Sequence, residues 1–366
     1  MQYRCFIWIS VYVISSLGLT SGPCFAYATI QLGSNYGWYA QDIPAPPETI
    51  ESNPFSNYNV IQNYDTETQA INSQLIAMRE AGQTTIAVPI YPAVGFDSQS
   101  LLDETGGNLN QHDLTNFKDF IAQVKADGFT SILYRFNFQA YNAPQNATPA
   151  MTAINSEFIA NMMNEVIIPA GVPYVTDLTG ELASYSITPA EISYGQYLWM
   201  NYVNEFGTNN TIGFSTNHVW NQSGIANMLA IFNGIYPEMF GFEIYTDDRT
   251  NGVAPSPSQQ IISLNQDLID DGINRPWIIT ETYYDDPTIA NGIALGIAET
   301  GQQIDDLYQW QINGPDTQDN TIPPIQISAY KVLNETQSEV PEPETVVIFL
   351  IGITITILML HFGRGQ

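Results

Sequence analysis

The 366-residue chain has two cysteines, Cys5 and Cys24, both within its first 28 residues. From residue 29 onward there are none, which excludes disulfide staples and thiolate metal sites there. Positive charge is nearly as scarce. Nine Lys plus Arg stand against 37 Asp plus Glu, for a net charge of −28. Such a surface does not neutralise phosphates, which argues against nucleic acid as a partner, and it offers no polybasic patch for anionic lipid. The three histidines, His112, His218 and His361, form no metal-ligand spacing. Neither a metal nor a cofactor is expected. A glycine-rich phosphate turn is missing too. The turn after the first apolar segment reads Gly33-Ser34-Asn35-Tyr36-Gly37-Trp38-Tyr39, without the G-x-G-x-x-G of a dinucleotide-binding open sheet. What replaces charge is neutral polarity: 13% of residues are charged, while tyrosine alone counts 21. That balance suits a secreted protein meeting neutral polymers, and equally suits solubility alone.

The two ends do not look like folded domain. Residues 1–28 read as a secretory signal, with Arg4, an apolar run over 5–19 and the small-residue site Ala26-Tyr27-Ala28. A lipoprotein signal at Cys24 is the rival, opposed by Pro23 directly before it. Residues 345–362 are nearly all apolar, about the minimum length for a membrane-spanning helix. Val340-Pro341-Glu342-Pro343-Glu344 precedes that run and Arg364 follows it. Pro-Glu-Pro, an apolar span and a basic end resemble the PEP-CTERM sorting signal. The resemblance implies an exosortase-type partner in a Gram-negative bacterium that makes exopolysaccharide. The chain would be exported to the envelope or beyond, and held for a time in the membrane by its C-terminal helix. It departs in having one Arg where the family has a cluster. A plain anchor is the alternative for residues 336–366.

Residues 29–335 have a length common for one α/β barrel. Eight strand candidates occur, at 29–35, 84–91, 131–138, 173–178, 211–220, 239–245, 277–281 and 305–310. Helical periodicity separates them, at 66–80, 114–126, 154–168, 194–206, 224–235, 257–270 and 287–300, and a closing helix is expected over 325–333. Glycine follows most of the helices. The pattern predicts a single-domain α/β fold, a (β/α)8 TIM barrel, with a doubly wound open sheet as the rival.

Two of these strands run into a carboxylate. Val172-Pro173-Tyr174-Val175-Thr176-Asp177-Leu178-Thr179-Gly180-Glu181 leaves the fourth strand, and Trp277-Ile278-Ile279-Thr280-Glu281 is the seventh. The C-terminal ends of barrel strands share one mouth, and two carboxyls facing each other there can cleave a glycosidic bond. Asp177 has the strand parity of Glu181, which predicts it inside the barrel beneath that acid, raising its pKa. Arg135 on the third strand would hold the seventh-strand carboxylate ionised. Trp38, Trp220, Tyr283 and Trp310 fall at strand ends, as candidate sugar platforms or as rim packing. Glu243 is expected as a partner to the site rather than a reacting group. The pairs Asp247-Asp248 and Asp285-Asp286 are either Ca²⁺ ligands or solvated turns.

With strands four and seven so placed, Asp177-Leu178-Thr179-Gly180-Glu181 and Ile279-Thr280-Glu281 resemble the clan A glycoside hydrolases, which are retaining (β/α)8 barrels. The resemblance implies Glu181 as general acid/base and Glu281 as nucleophile. It also implies that Tyr245, in Glu243-Ile244-Tyr245 where many members have His-x-Tyr, touches the nucleophile, and that Trp310 is a sugar platform. It departs at Gly180, where the clan has an Asn that hydrogen-bonds the sugar 2-hydroxyl. The expected function is an exported retaining β-glycoside hydrolase acting on a polysaccharide or oligosaccharide. The alternatives are a non-catalytic carbohydrate-binding or matrix protein on a degenerate barrel, and a transglycosylase.

Overall fold

In the computed structural model six helix starts are fixed by a capping side chain. Thr188 and Glu191 form a reciprocal capping box at one helix, Ser256 and Gln259 at another. Asn59, Asn110, Thr148 and Asp286 accept from the first-turn amides of four others. The helices are α1 (Val60–Ala81), α2 (Gln111–Ala126), α3 (Pro149–Met162), α4 (Pro189–Phe206), α5 (Gln222–Phe232), α6 (Pro257–Asp270), α7 (Pro287–Thr300) and α8 (Val332–Ser338). The third continues through a π-turn, Met163–Ile167, to Ala170. Pro169 lacks an amide and would crowd the carbonyl four residues back, which accounts for the π-turn. The structure describes residues 29–37, 59–94, 99–138, 143–182, 187–217, 222–248, 252–253, 255–310 and 324–338. The signal-like start and the apolar tail lie outside them. Among the described residues, no helix is long and apolar enough to cross a membrane.

The strands are β1 (Gln31–Asn35), β2 (Thr85–Ile90), β3 (Ser131–Phe136), β4 (Tyr174–Asp177), β5 in two pieces (Thr211–Gly213 and Ser215–Thr216), β6 (Phe240–Glu243), β7 (Trp277–Glu281) and β8 (Ile304–Gln309). All pair in parallel. The order runs from the first piece of β5 through β4, β3, β2, β1, β8, β7 and β6 to the second piece of β5. One strand thus stands at both ends of the order, and the sheet is a nearly closed parallel barrel with helices around it. The sequence predicts an unbroken fifth strand over 211–220. The break comes at Gly213, whose φ of 67° is left-handed backbone that favours glycine. Short ladders, Ala93–Val94 with Gln99–Ser100 and Asp247–Asp248 with Gly252–Val253, follow β2 and β6. The closing helix begins later than its periodicity suggests, as a 3-10 turn (Ser328–Lys331) leading into α8.

Alternation along each strand divides the core into two layers. Ala87, Leu133, Val175, Ile212, Ile278 and Tyr308, one from each of six strands, fill the barrel interior. Their neighbours, such as Ile132, Tyr134 and Phe136 on β3, pack outward against the helices. Tyr134 meets Phe117 of α2 edge-on, and Phe136 meets Phe158 of α3. The same alternation puts Arg135 inside, one step above Leu133.

Candidate active site

Above the apolar layer the barrel turns polar. Asn35, Arg135, Asp177, Ser215, Glu243 and Glu281 are all buried there, each at the C-terminal end of its strand. Arg135 is 1% exposed and reaches every other member of the ring. Nε donates to Asp177 Oδ2 at 3.2 Å, Nη1 to Asn35 Oδ1 at 3.0 Å, and Nη2 to Ser215 Oγ at 3.2 Å. Nη1 also donates to Glu281 Oε1, and Nη2 lies 3.5 Å from Glu243 Oε1. A buried guanidinium compensates only one charge, so the acids around it compete for it.

Glu281 reaches the interior through a bulge. Strict alternation with inward Ile278 and Thr280 would turn residue 281 outward. The β6–β7 register instead steps from Ile279↔Phe242 to Glu281↔Glu243, two residues against one. Such a bulge re-aims a side chain. Besides Arg135, Glu281 accepts from Tyr245 Oη at 3.0 Å. Lost hydration, followed by the Glu281 charge, pushes the Tyr245 hydroxyl well above its ordinary pKa, so it stays a donor.

Glu181 arrives by another route. β4 stops at Asp177, and Glu181 sits in a turn with φ of 59°, so its parity with Asp177 is not strand parity. This left-handed backbone is unusual for a residue with a side chain. It is held by Glu181 N–H donating to Ser215 Oγ at 3.0 Å, while Gly180 N–H donates to Phe136 O at 3.1 Å. Asn217 Nδ2 donates to Glu181 Oε2 at 2.8 Å. The residue is open to solvent at the mouth, yet protein crowds its carboxyl. Lost hydration pushes its pKa up to about 7, aided by the Glu281 charge and opposed by Arg135 and the Asn217 bond. Asp177 lies inside as expected and raises this pKa, but as the smallest of these causes.

One oxygen each from Glu181, Glu243 and Glu281 lies within 4.8 Å of the other two. Among the described residues this is the one carboxylate group geometrically able to hold a metal ion, and Arg135 already provides a cation at it. Glu243 is pushed well above the usual carboxyl range, first by lost hydration and then by the Glu281 and Glu181 charges. Both causes favour its protonated form.

The structure brings Glu181, Glu281, Arg135 and Tyr245 together. Trp310 follows β8, half-buried, with its amide bonded to Thr282 O at 2.8 Å. Tyr283, expected as an open platform, is 3% exposed. Its ring packs edge-on against Tyr245 at 4.8 Å and Tyr330 Oη donates to its carbonyl, so it braces Tyr245 and shows no free face. Trp38 and Trp220 lie outside the described residues. Asp285 and Asp286 are structural: Asp286 caps α7, and Asp285 accepts from Ala329 N–H at 2.7 Å. Sequence reasoning missed Asn35, Ser215, Asn217, Tyr91 and Asn137. Their shared signal is a polar residue or Tyr just at a strand's C-terminal end.

Neither a known family profile nor a curated sequence matches the chain. Solved structures do. A GH5_18 variant from Streptomyces cattleya in complex with Manb1-4GlcNAc has a TM-score of 0.59 at 9% identity, over 86% of this chain and 83% of that one. A GH5_18 variant from Bifidobacterium longum, with the same disaccharide, gives 0.55 at 12%, over 86% and 79%. An exo-beta-1,4-mannosidase from Opitutaceae bacterium strain TAV5 gives 0.54 at 12%, over 85% and 60%. The fold is shared with glycoside hydrolases. At these identities the likeness is one of architecture.

Proposed function

We propose that the chain is a retaining β-glycoside hydrolase that cleaves a polysaccharide by double displacement. One observation carries this reading: Glu181 and Glu281 offer oxygens within 4.8 Å of each other, in opposite surroundings. Retaining enzymes need carboxyls about 5–5.5 Å apart, whereas inverting pairs stand about 6.5–9.5 Å apart to admit a water. Glu281, tied to a guanidinium and a tyrosine hydroxyl, is suited to attack the anomeric carbon. Glu181, with a pKa of about 7, holds a proton near neutrality and passes it to the departing oxygen. In the second half Glu181 takes a proton from water, the water attacks the glycosyl-enzyme, and Glu281 leaves with net retention.

Glu281→Ala is expected to abolish turnover of aryl glycosides, with partial rescue by azide. Glu181→Ala is expected to spare substrates with good leaving groups and to slow natural glycosides by about 10²–10⁴-fold. NMR of the first-formed anomer decides the stereochemistry; inversion would overturn the reading. β-1,4-Mannosides come first in the substrate screen, because the fold neighbours include an exo-beta-1,4-mannosidase. A wild type that cleaves nothing returns the chain to the binding-protein reading, and longer products mark a transglycosylase.

We also propose export. The signal-like order of residues 1–28 and the Pro-Glu-Pro element before the apolar tail support it, with exosortase-type machinery as the partner of the tail. Cell fractionation that finds the full-length chain soluble in the cytoplasm would refute this.

A further inference from the structure

Gly180 has an unexpected neighbour. A Cβ built on it would overlap Asn137 Oδ1, and would lie 3.3 Å from Asn137 Cγ and 3.5 Å from Arg135 Nη2. The Asn137 carboxamide therefore fills the space that a side chain at 180 would take. Asn137 comes directly after β3, and its amide still donates to Ile90 O at 2.8 Å. It thus continues the inward alternation of Leu133 and Arg135, one step nearer the mouth. It is half-buried. Its side chain also bonds the Tyr91 hydroxyl, a buried group that feels the charges of Glu281, Arg135 and Glu181. The carboxamide thus stands on the residue before Glu181, over Arg135, and beside a tyrosine close to Glu281.

The reacting carbon of a glycoside must lie between Glu181 and Glu281. The nearest hydroxyl is on the adjoining ring carbon, and hydrogen bonds to this 2-hydroxyl strengthen in the transition state. We propose that Asn137 is the ligand of the sugar 2-hydroxyl, reaching in from the end of β3 to the place left open by Gly180. This inference rests on the glycosidase reading above. On it, glycine at 180 is the condition for Asn137 to reach the sugar and is no mark of decay. Gly180→Asn alone would collide with Asn137 and lower activity.

The test pairs a variant with a substrate. Wild type, Asn137→Ala and Asn137→Ser are assayed on the aryl glycoside that wild type cleaves best, and on its 2-deoxy counterpart. Both variants are expected to lose about 10²-fold or more in kcat/KM on the first substrate, and to stay within about threefold of wild type on the second. Thermal unfolding checks that each variant is folded, and Asn137→Ser serves if Asn137→Ala is not. The exchange Asn137→Gly with Gly180→Asn is expected to recover at least tenfold over Asn137→Ala. Equal losses on both substrates mean a merely structural role and overturn the proposal, as does no loss on either. In both cases wild-type activity shows that the glycosidase reading survives. A wild type inert on every glycoside overturns both.

Discussion

The acid at Glu181 owes its raised pKa first to lost hydration and second to the charge of Glu281. Its protonated form is the one that starts the proposed reaction. With a folded pKa of about 7, kcat/KM should be steady below neutrality on this limb and fall about tenfold per pH unit well above it. Glu281→Gln removes one cause of the shift and leaves lost hydration and the Asp177 charge, so the Glu181 midpoint should drop below 7. Carbon-13 NMR of labelled glutamate can follow that titration in the inactive variant. An unmoved midpoint would mean that Glu281 does not act on Glu181 through its charge. Both glutamates were legible in the sequence because an apolar strand ran into each. Asn217 and Ser215, which hold Glu181, were not. Small polar residues in a predicted strand look like any solvent-facing position until the strand breaks.

At the scale of elements, Arg135 gathers the barrel. Through Asn35, Asp177, Ser215, Glu243 and Glu281 it contacts residues of five other strands. Removing one partner of a buried ion pair leaves uncompensated charge and costs about 3–5 kcal/mol. Arg135→Met should lose stability on that order, and lose more at pH 8 than at pH 5, because Glu181, with a pKa of about 7, is protonated at the lower pH and adds no charge to the ring. Urea unfolding at the two pH values measures this; equal losses would show that the cation is not what stabilises the ring. The eight strands and seven intervening helices could be read from periodicity and punctuation. The bulge before Glu281 could not, because nothing in Ile279-Thr280-Glu281 marks an extra residue. The left-handed turn at Glu181 was equally hidden. Strand parity therefore predicted the right inward set with the wrong reason at position 181.

The whole molecule carries a net charge of −28, and some of its acids are buried away from the mouth. Asp306 lies inside β8, with Tyr308 Oη donating to it at 3.4 Å and Thr85 Oγ1 2.8 Å from that hydroxyl. Nothing in Ile304-Asp305-Asp306-Leu307-Tyr308-Gln309 tells an interior aspartate from a solvated one, and only closure of the barrel decides it. Lost hydration raises its pKa from 3.8 to about 7, the Asp305 charge adds to this, and the Tyr308 bond opposes it. A carboxyl with a raised folded pKa binds more protons folded than unfolded between those two values. Stability therefore falls as pH rises from about 4 to about 7 and stays reduced above. At about 1.4 kcal/mol per pH unit the full effect is on the order of 4 kcal/mol. Asp306→Asn keeps the shape and cannot ionise. It should unfold at a higher urea concentration than wild type at pH 8, differ little at pH 4, and flatten the slope between them. Parallel profiles for the two proteins would show that Asp306 stays hydrated or paired in the folded barrel.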